Sequence, residues 1–103
     1  MSKPKIAWQA LGNSHYCLSG ELERDTVPAF WRQRREWIPQ DSKVTLDLSA
    51  LARVDSAGMV MLLHLYQELS SAGSDLTLLN VPEQLKTLLR LSHVESMLAA
   101  CIE

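Results

Sequence analysis

The chain is poor in glycine, with four in 103 residues and none in GxGxxG or GxxxxGKS/T spacing. That excludes a glycine-built cradle for nucleotide phosphates supplied by this chain alone. Cysteine is equally scarce: Cys17 and Cys101 stand far apart without Cys-x-x-Cys spacing, and His15, His64 and His93 are scattered. Neither a metal site nor a cofactor is expected from such a set. Neither sign of charge dominates, since ten Lys and Arg face twelve Asp and Glu for a net charge of -2. No global field therefore favours nucleic acid or an anionic membrane as partner. No apolar run approaches the ~20 residues needed to span a bilayer, and Met1-Ser2-Lys3-Pro4-Lys5 lacks the apolar core of a secretory signal. These absences predict free thiols in a reducing cytoplasm, with any membrane role exercised through a partner. Linkers, repeats and low-complexity segments are missing too, so residues 1–103 read as one domain.

What is present is organised around Val54-Asp55-Ser56-Ala57-Gly58, where a strand ends and a helix begins. Upstream, Lys43 to Ser49 alternates with Val44, Leu46 and Leu48 on one face and Thr45 and Asp47 on the other, the period of a strand. Downstream, Met59 to Leu69 is dense in helix formers. Ser56 reads as the N-cap, with Asp55 adding negative charge where the helix dipole is positive. Gly58 inside the first turn costs helix propensity, which points to a close approach against the backbone.

Taken in order, Ile6 to Leu11 and Tyr16-Cys17-Leu18 flank the turn signal Gly12-Asn13, predicting an antiparallel pair. Ser19-Gly20-Glu21-Leu22 breaks the alternation, and Asp25 or Thr26 caps a helix over Val27 to Ile38 with Pro28 in its first turn. Its apolar stripe is Val27, Phe30, Trp31, Trp37 and Ile38, with Arg34 the one polar position on it. The Arg32-Gln33-Arg34-Arg35 run is offset by nearby acids and reads as a solvated face. Leu51-Ala52-Arg53 is a connection. After the Ser56 helix, Gly73 is a stop signal, Asp75 to Leu79 a strand, and Asn80-Val81-Pro82-Glu83 a capping box; Ser92-His93-Val94-Glu95 repeats that pattern before a last helix. The order β-β-α-β-α-β-α-α predicts a small mixed α/β sheet of about four strands with four helices and right-handed crossovers. Asp55-Ser56 lies at the carboxyl end of a parallel strand, where binding residues gather.

Met59, Leu62, Leu63, Tyr66 and Leu69 form a helical stripe that Val60, Met61 and Leu65 widen, leaving the first two turns apolar nearly all round. This excess predicts either a docking face, with Ser56, Met61 and His64 on its exposed side, or a surface that neighbouring helices cover. A hydrolase triad is not expected, because Ser56 lacks the GxSxG elbow and adjacent Asp55 cannot orient a distant imidazole. The chain is read as a binding module and no enzyme.

Leu18-Ser19-Gly20-Glu21-Leu22, Leu46-Asp47-Leu48-Ser49 and Val54-Asp55-Ser56-Ala57-Gly58 before an apolar helix together resemble the STAS domain family of anti-sigma factor antagonists and sulfate transporter tails. Phe30-Trp31, Arg53-Val54-Asp55 and Leu62-Leu63-His64-Leu65 look most like the small STAS subunits of ABC transporters that move phospholipid between the two membranes of a Gram-negative envelope. The resemblance implies a cytoplasmic accessory subunit, peripheral to the inner membrane, that maintains lipid asymmetry by binding the transporter's ATPase subunit and through it the permease complex. It implies partner binding through Arg53, Asp55, Ser56, Ala57, Gly58, Met61 and His64. The other branch implied by the family is an anti-sigma factor antagonist regulated by phosphorylation of Ser56.

Overall fold

The computed structural model describes residues 6–92 together with Leu98, Cys101 and Ile102. Strands β1 (Ile6–Gly12) and β2 (His15–Leu22) form the expected hairpin, followed by helices α1 (Val27–Arg32) and α2 (Arg34–Trp37). Then come β3 (Lys43–Asp47), β4 (Leu51–Val54), α3 (Ser56–Ser71), β5 (Asp75–Leu79) and α4 (Glu83–Leu91). The sheet runs β1-β2-β3-β5, with β1 antiparallel to β2 and the β2–β3 and β3–β5 pairs parallel.

A fifth strand is the main departure from expectation. Residues 51–54 are β4, which pairs in parallel with Gly20 to Leu22 after β3 has paired with His15 to Cys17. Since β1 occupies the other edge of β2, β3 and β4 lie in succession along one edge. β2 itself continues through Ser19-Gly20-Glu21-Leu22, although the sequence breaks the alternation there. The step between β3 and β4 is held by Asp47, whose carboxylate accepts from Ser49 N at 2.8 Å and from the Asn80 amide at 3.1 Å. These donors hold its pKa below the usual carboxylate value. Asn80 is thus no helix cap: its φ is +55°, and α4 starts after Pro82, the N-cap residue.

The expected helix over 27–38 is divided at Gln33. In an unbroken helix the Phe30 carbonyl would accept from the Arg34 amide. Here it accepts from Gln33 N at 3.2 Å and from the Trp37 indole at 3.1 Å, while the Trp37 ring stacks on Phe30 at 4.4 Å. Arg34, the first residue of α2, meets Glu68 of α3 at 2.6 Å and lies 4.8 Å over the Trp31 ring. Both charges are about one-third exposed or more, so the pair steers α1 and α2 onto α3 more than it stabilises, at ~0–1 kcal/mol.

The core lies on one face of the sheet. Leu18, Val44, Leu46, Leu48, Leu76 and Leu78 meet Met61, Leu62, Leu65 and Leu69 of α3 and Leu85 and Leu89 of α4. Each fully buried aliphatic side chain there contributes roughly 1.5–3 kcal/mol. The opposite face carries Gln9, Cys17, Glu21, Thr45 and Thr77, all half-buried or exposed. Cys17 and Cys101 are free thiols. Beyond β5, Leu78 N donates to Cys101 O and Ile102 bridges Leu78 in parallel, so Ile102 is extended and not helical. Of the expected last helix, Leu98 is helical and buried, while residues 93–97 and 99–100 fall outside the described residues.

Candidate functional site

The second departure moves the cap by one residue. Asp55, not Ser56, is the N-cap of α3: its backbone is extended, and its Oδ1 accepts from Ala57 N at 2.9 Å and Gly58 N at 3.1 Å. The cause is β4. By running beside β2 to its end, β4 lets Asp55 N donate to Leu22 O at 3.0 Å, which fixes Asp55 in the sheet's conformation. Ser56 becomes the first helical residue, exposed, with its hydroxyl released from the capping role.

Gly58 sits where α3 presses on the end of β2. A Cβ at this position would lie 2.5 Å from Leu22 O, 2.7 Å from Leu22 Cβ and 2.9 Å from a Val54 methyl. The close approach expected from sequence is therefore internal to the fold. Gly58→Ala forces backbone to move and is expected to cost about 1–3 kcal/mol, the usual range for overpacking. Urea unfolding measures this directly; an unchanged midpoint would show that α3 can slide without loss.

The beginnings of α1 and α3 enclose a groove of about 420 Å³ with mainly apolar walls. Val27, Pro28 and Trp31 form one wall, and Ser56, Ala57, Val60 and His64 the other. Met61 closes the floor. It was expected on the exposed side of the helix, but it is 2% exposed and belongs to the core. The solvent-facing apolar residue of this helix is Val60, 42% exposed. His64 lies at the far end, its ring 6.1 Å from that of Trp31.

Of the residues singled out in the sequence, the structure brings Ser56, Ala57 and His64 to the rim and Met61 beneath it. Asp55 and Gly58 hold the rim in place from behind. Arg53 is elsewhere: it is exposed and in register with Glu21 of β2, while its neighbour Val54 is buried. Val27, Trp31 and Val60 were missed as groove residues. The available signal was the apolar α1 stripe itself, on which Val27 and Trp31 lie one turn apart.

Among the described residues no group of three His, Cys, Asp or Glu side chains is placed to hold a metal ion, and no helix is long and apolar enough to cross a membrane. The groove offers shape and apolar surface.

Comparison with known proteins gives a consistent result. The chain is 34% identical over 89 residues to the intermembrane phospholipid transport system binding protein MlaB of Escherichia coli K12, covering 86% of this chain and 89% of that protein. MlaB of Shigella flexneri matches to the same extent. The fold is similar to the unphosphorylated anti-sigma factor antagonist SpoIIAA, with a TM-score of 0.69 at 18% identity over 95% of this chain and 85% of that one. Residues 10–99 match the family model described as the MlaB STAS domain, and the chain therefore belongs to the STAS domain family in its MlaB branch.

Proposed function

We propose that this chain, as one STAS domain over residues 1–103, is the non-catalytic STAS subunit of an ABC transporter that moves phospholipid between membranes and so maintains outer-membrane lipid asymmetry. The observation that carries this reading is the match to MlaB over most of both chains. The subunit binds the transporter's ATPase subunit, and through it the permease complex, from the cytoplasmic side of the inner membrane. The α1–α3 groove is the docking surface, because it joins exposed Val60 and Ser56 to half-buried Val27 and Trp31 in one apolar recess. An apolar side chain of the ATPase entering that recess is desolvated against them.

Co-expression with the cognate ATPase and permease is expected to yield a complex that survives purification. Val60→Asp should abolish capture of the ATPase while the isolated variant melts within a few degrees of wild type, since Val60 is a surface position. Recovery of an anti-sigma factor in place of transporter subunits would overturn the proposal.

A further inference from the structure

The carboxylate of Asp55 is divided between two tasks. Oδ1 caps α3 through Ala57 N and Gly58 N, while Oδ2 accepts from Arg24 N at 3.1 Å across 31 residues of sequence. Arg24 lies in the turn joining β2 to α1. That turn is otherwise closed on itself: Val27 N donates to Glu23 O at 2.9 Å, Glu23 N to Thr26 Oγ1 at 3.0 Å, and Thr26 Oγ1 to Glu21 O at 2.6 Å. These bonds tie it to the start of α1, which carries Val27, Pro28 and Trp31. One side chain thus fastens both walls of the groove, α3 through one oxygen and α1 through the other.

We infer that Asp55 is a positioning residue: it sets the separation of the two groove walls and acts on the partner through that spacing, without touching it. This rests on the groove being the docking surface. Both carboxylate oxygens already accept backbone N–H groups, which leaves the charge little free to meet a ligand. A serine at the rim and a carboxylate behind it therefore do different work, although they are adjacent in sequence.

Asp55→Asn separates the tasks. Its amide oxygen can still cap α3, but its NH2 then faces the Arg24 N–H, donor against donor. Asp55→Ser is the second variant, a competent cap whose single short hydroxyl cannot serve both groups. In isolated protein, amide hydrogen exchange of Arg24 is expected to accelerate roughly tenfold or more in both variants, as for loss of a bond to a charged group. Gly58 should stay protected within a few-fold, and cross-groove NMR contacts between the Trp31 and His64 rings should weaken. Affinity for the ATPase should fall about tenfold at a temperature where both variants remain folded. Unchanged Arg24 exchange, or equal loosening of Gly58 and Arg24, would make Asp55 a simple cap and overturn the inference. So would full affinity in a variant with a loosened Arg24. If wild type itself failed to bind the ATPase, the proposed function would fall, and the exchange and ring contacts would still decide the coupling.

Discussion

Met61→Asp is expected to unfold the protein. The position faces inward from α3 with 2% exposure, among Leu18, Leu22, Leu62 and Leu65 of the same core. Replacing it removes the ~1.5–3 kcal/mol contributed by a buried methionine and adds an unpaired carboxylate whose burial costs several kcal/mol. Together these rival the whole stability of a domain, about 5–15 kcal/mol. At roughly 4–8 °C per kcal/mol for a chain of this size, the melting temperature should drop by more than about 20 °C, or the transition should vanish. Met61→Leu conserves volume and should cost less than about 1.5 kcal/mol. Circular dichroism melts of the two variants make the test. A cooperative Met61→Asp transition near that of wild type would mean that α3 turns this residue outward, returning it to the exposed docking role that the sequence suggested.

Met61 is buried although the helical spacing puts it on the exposed side of α3. Spacing alone selected Met59, Leu62, Leu63, Tyr66 and Leu69 as the inward stripe, whereas the buried set is Gly58, Met59, Met61, Leu62, Leu65 and Leu69. The buried arc is rotated because α3 is covered on two sides, by the sheet and by α4, while α1 leaves the Val60 side open. Nothing local in the sequence states where a neighbouring helix will lie. By contrast, the alternation of Val44, Leu46 and Leu48 and of Leu76 and Leu78 identified β3 and β5 correctly, since period two reports directly on a one-sided sheet. β4 escaped notice for the opposite reason: at four residues it has little period of its own, and it is a strand because the edge of β2 is there to pair with. The same distant contact decided the cap. Asp55 and Ser56 are both good caps locally, and the hydrogen bond from Asp55 N to Leu22 O selected between them. The α3 wall of the groove was thus legible to within a residue or two, while its second wall, Val27 and Trp31, depended on packing between elements far apart in sequence.

Ser56→Glu is expected to separate folding from binding most widely. Ser56 is exposed in the first turn of α3, and the cap is supplied by Asp55, so the substitution leaves the capping bonds in place. A carboxylate near a helix N-terminus is favourable by roughly 0.3–1 kcal/mol. Repulsion from Asp55 opposes this, but at an exposed site salt screens much of it. The melting temperature should therefore stay within a few degrees of wild type. Docking is different, because the new charge stands at the rim of an apolar groove beside Val27 and Val60 and must be desolvated when the partner closes over it. An unpaired buried charge costs several kcal/mol, and each 1.4 kcal/mol is about tenfold in affinity, so binding to the ATPase should weaken roughly 10²- to 10³-fold. Ser56→Ala carries no charge and should bind within a few-fold of wild type, which isolates charge from loss of the hydroxyl. A phosphate on Ser56 would bring greater charge to the same place and act in the same direction. Calorimetric titration of the ATPase with each variant, paired with its melting curve, reads both quantities. Normal binding by a folded Ser56→Glu variant would place the docking surface away from this groove, and loss of fold would show that Ser56 supports α3 in a way its exposed position does not suggest.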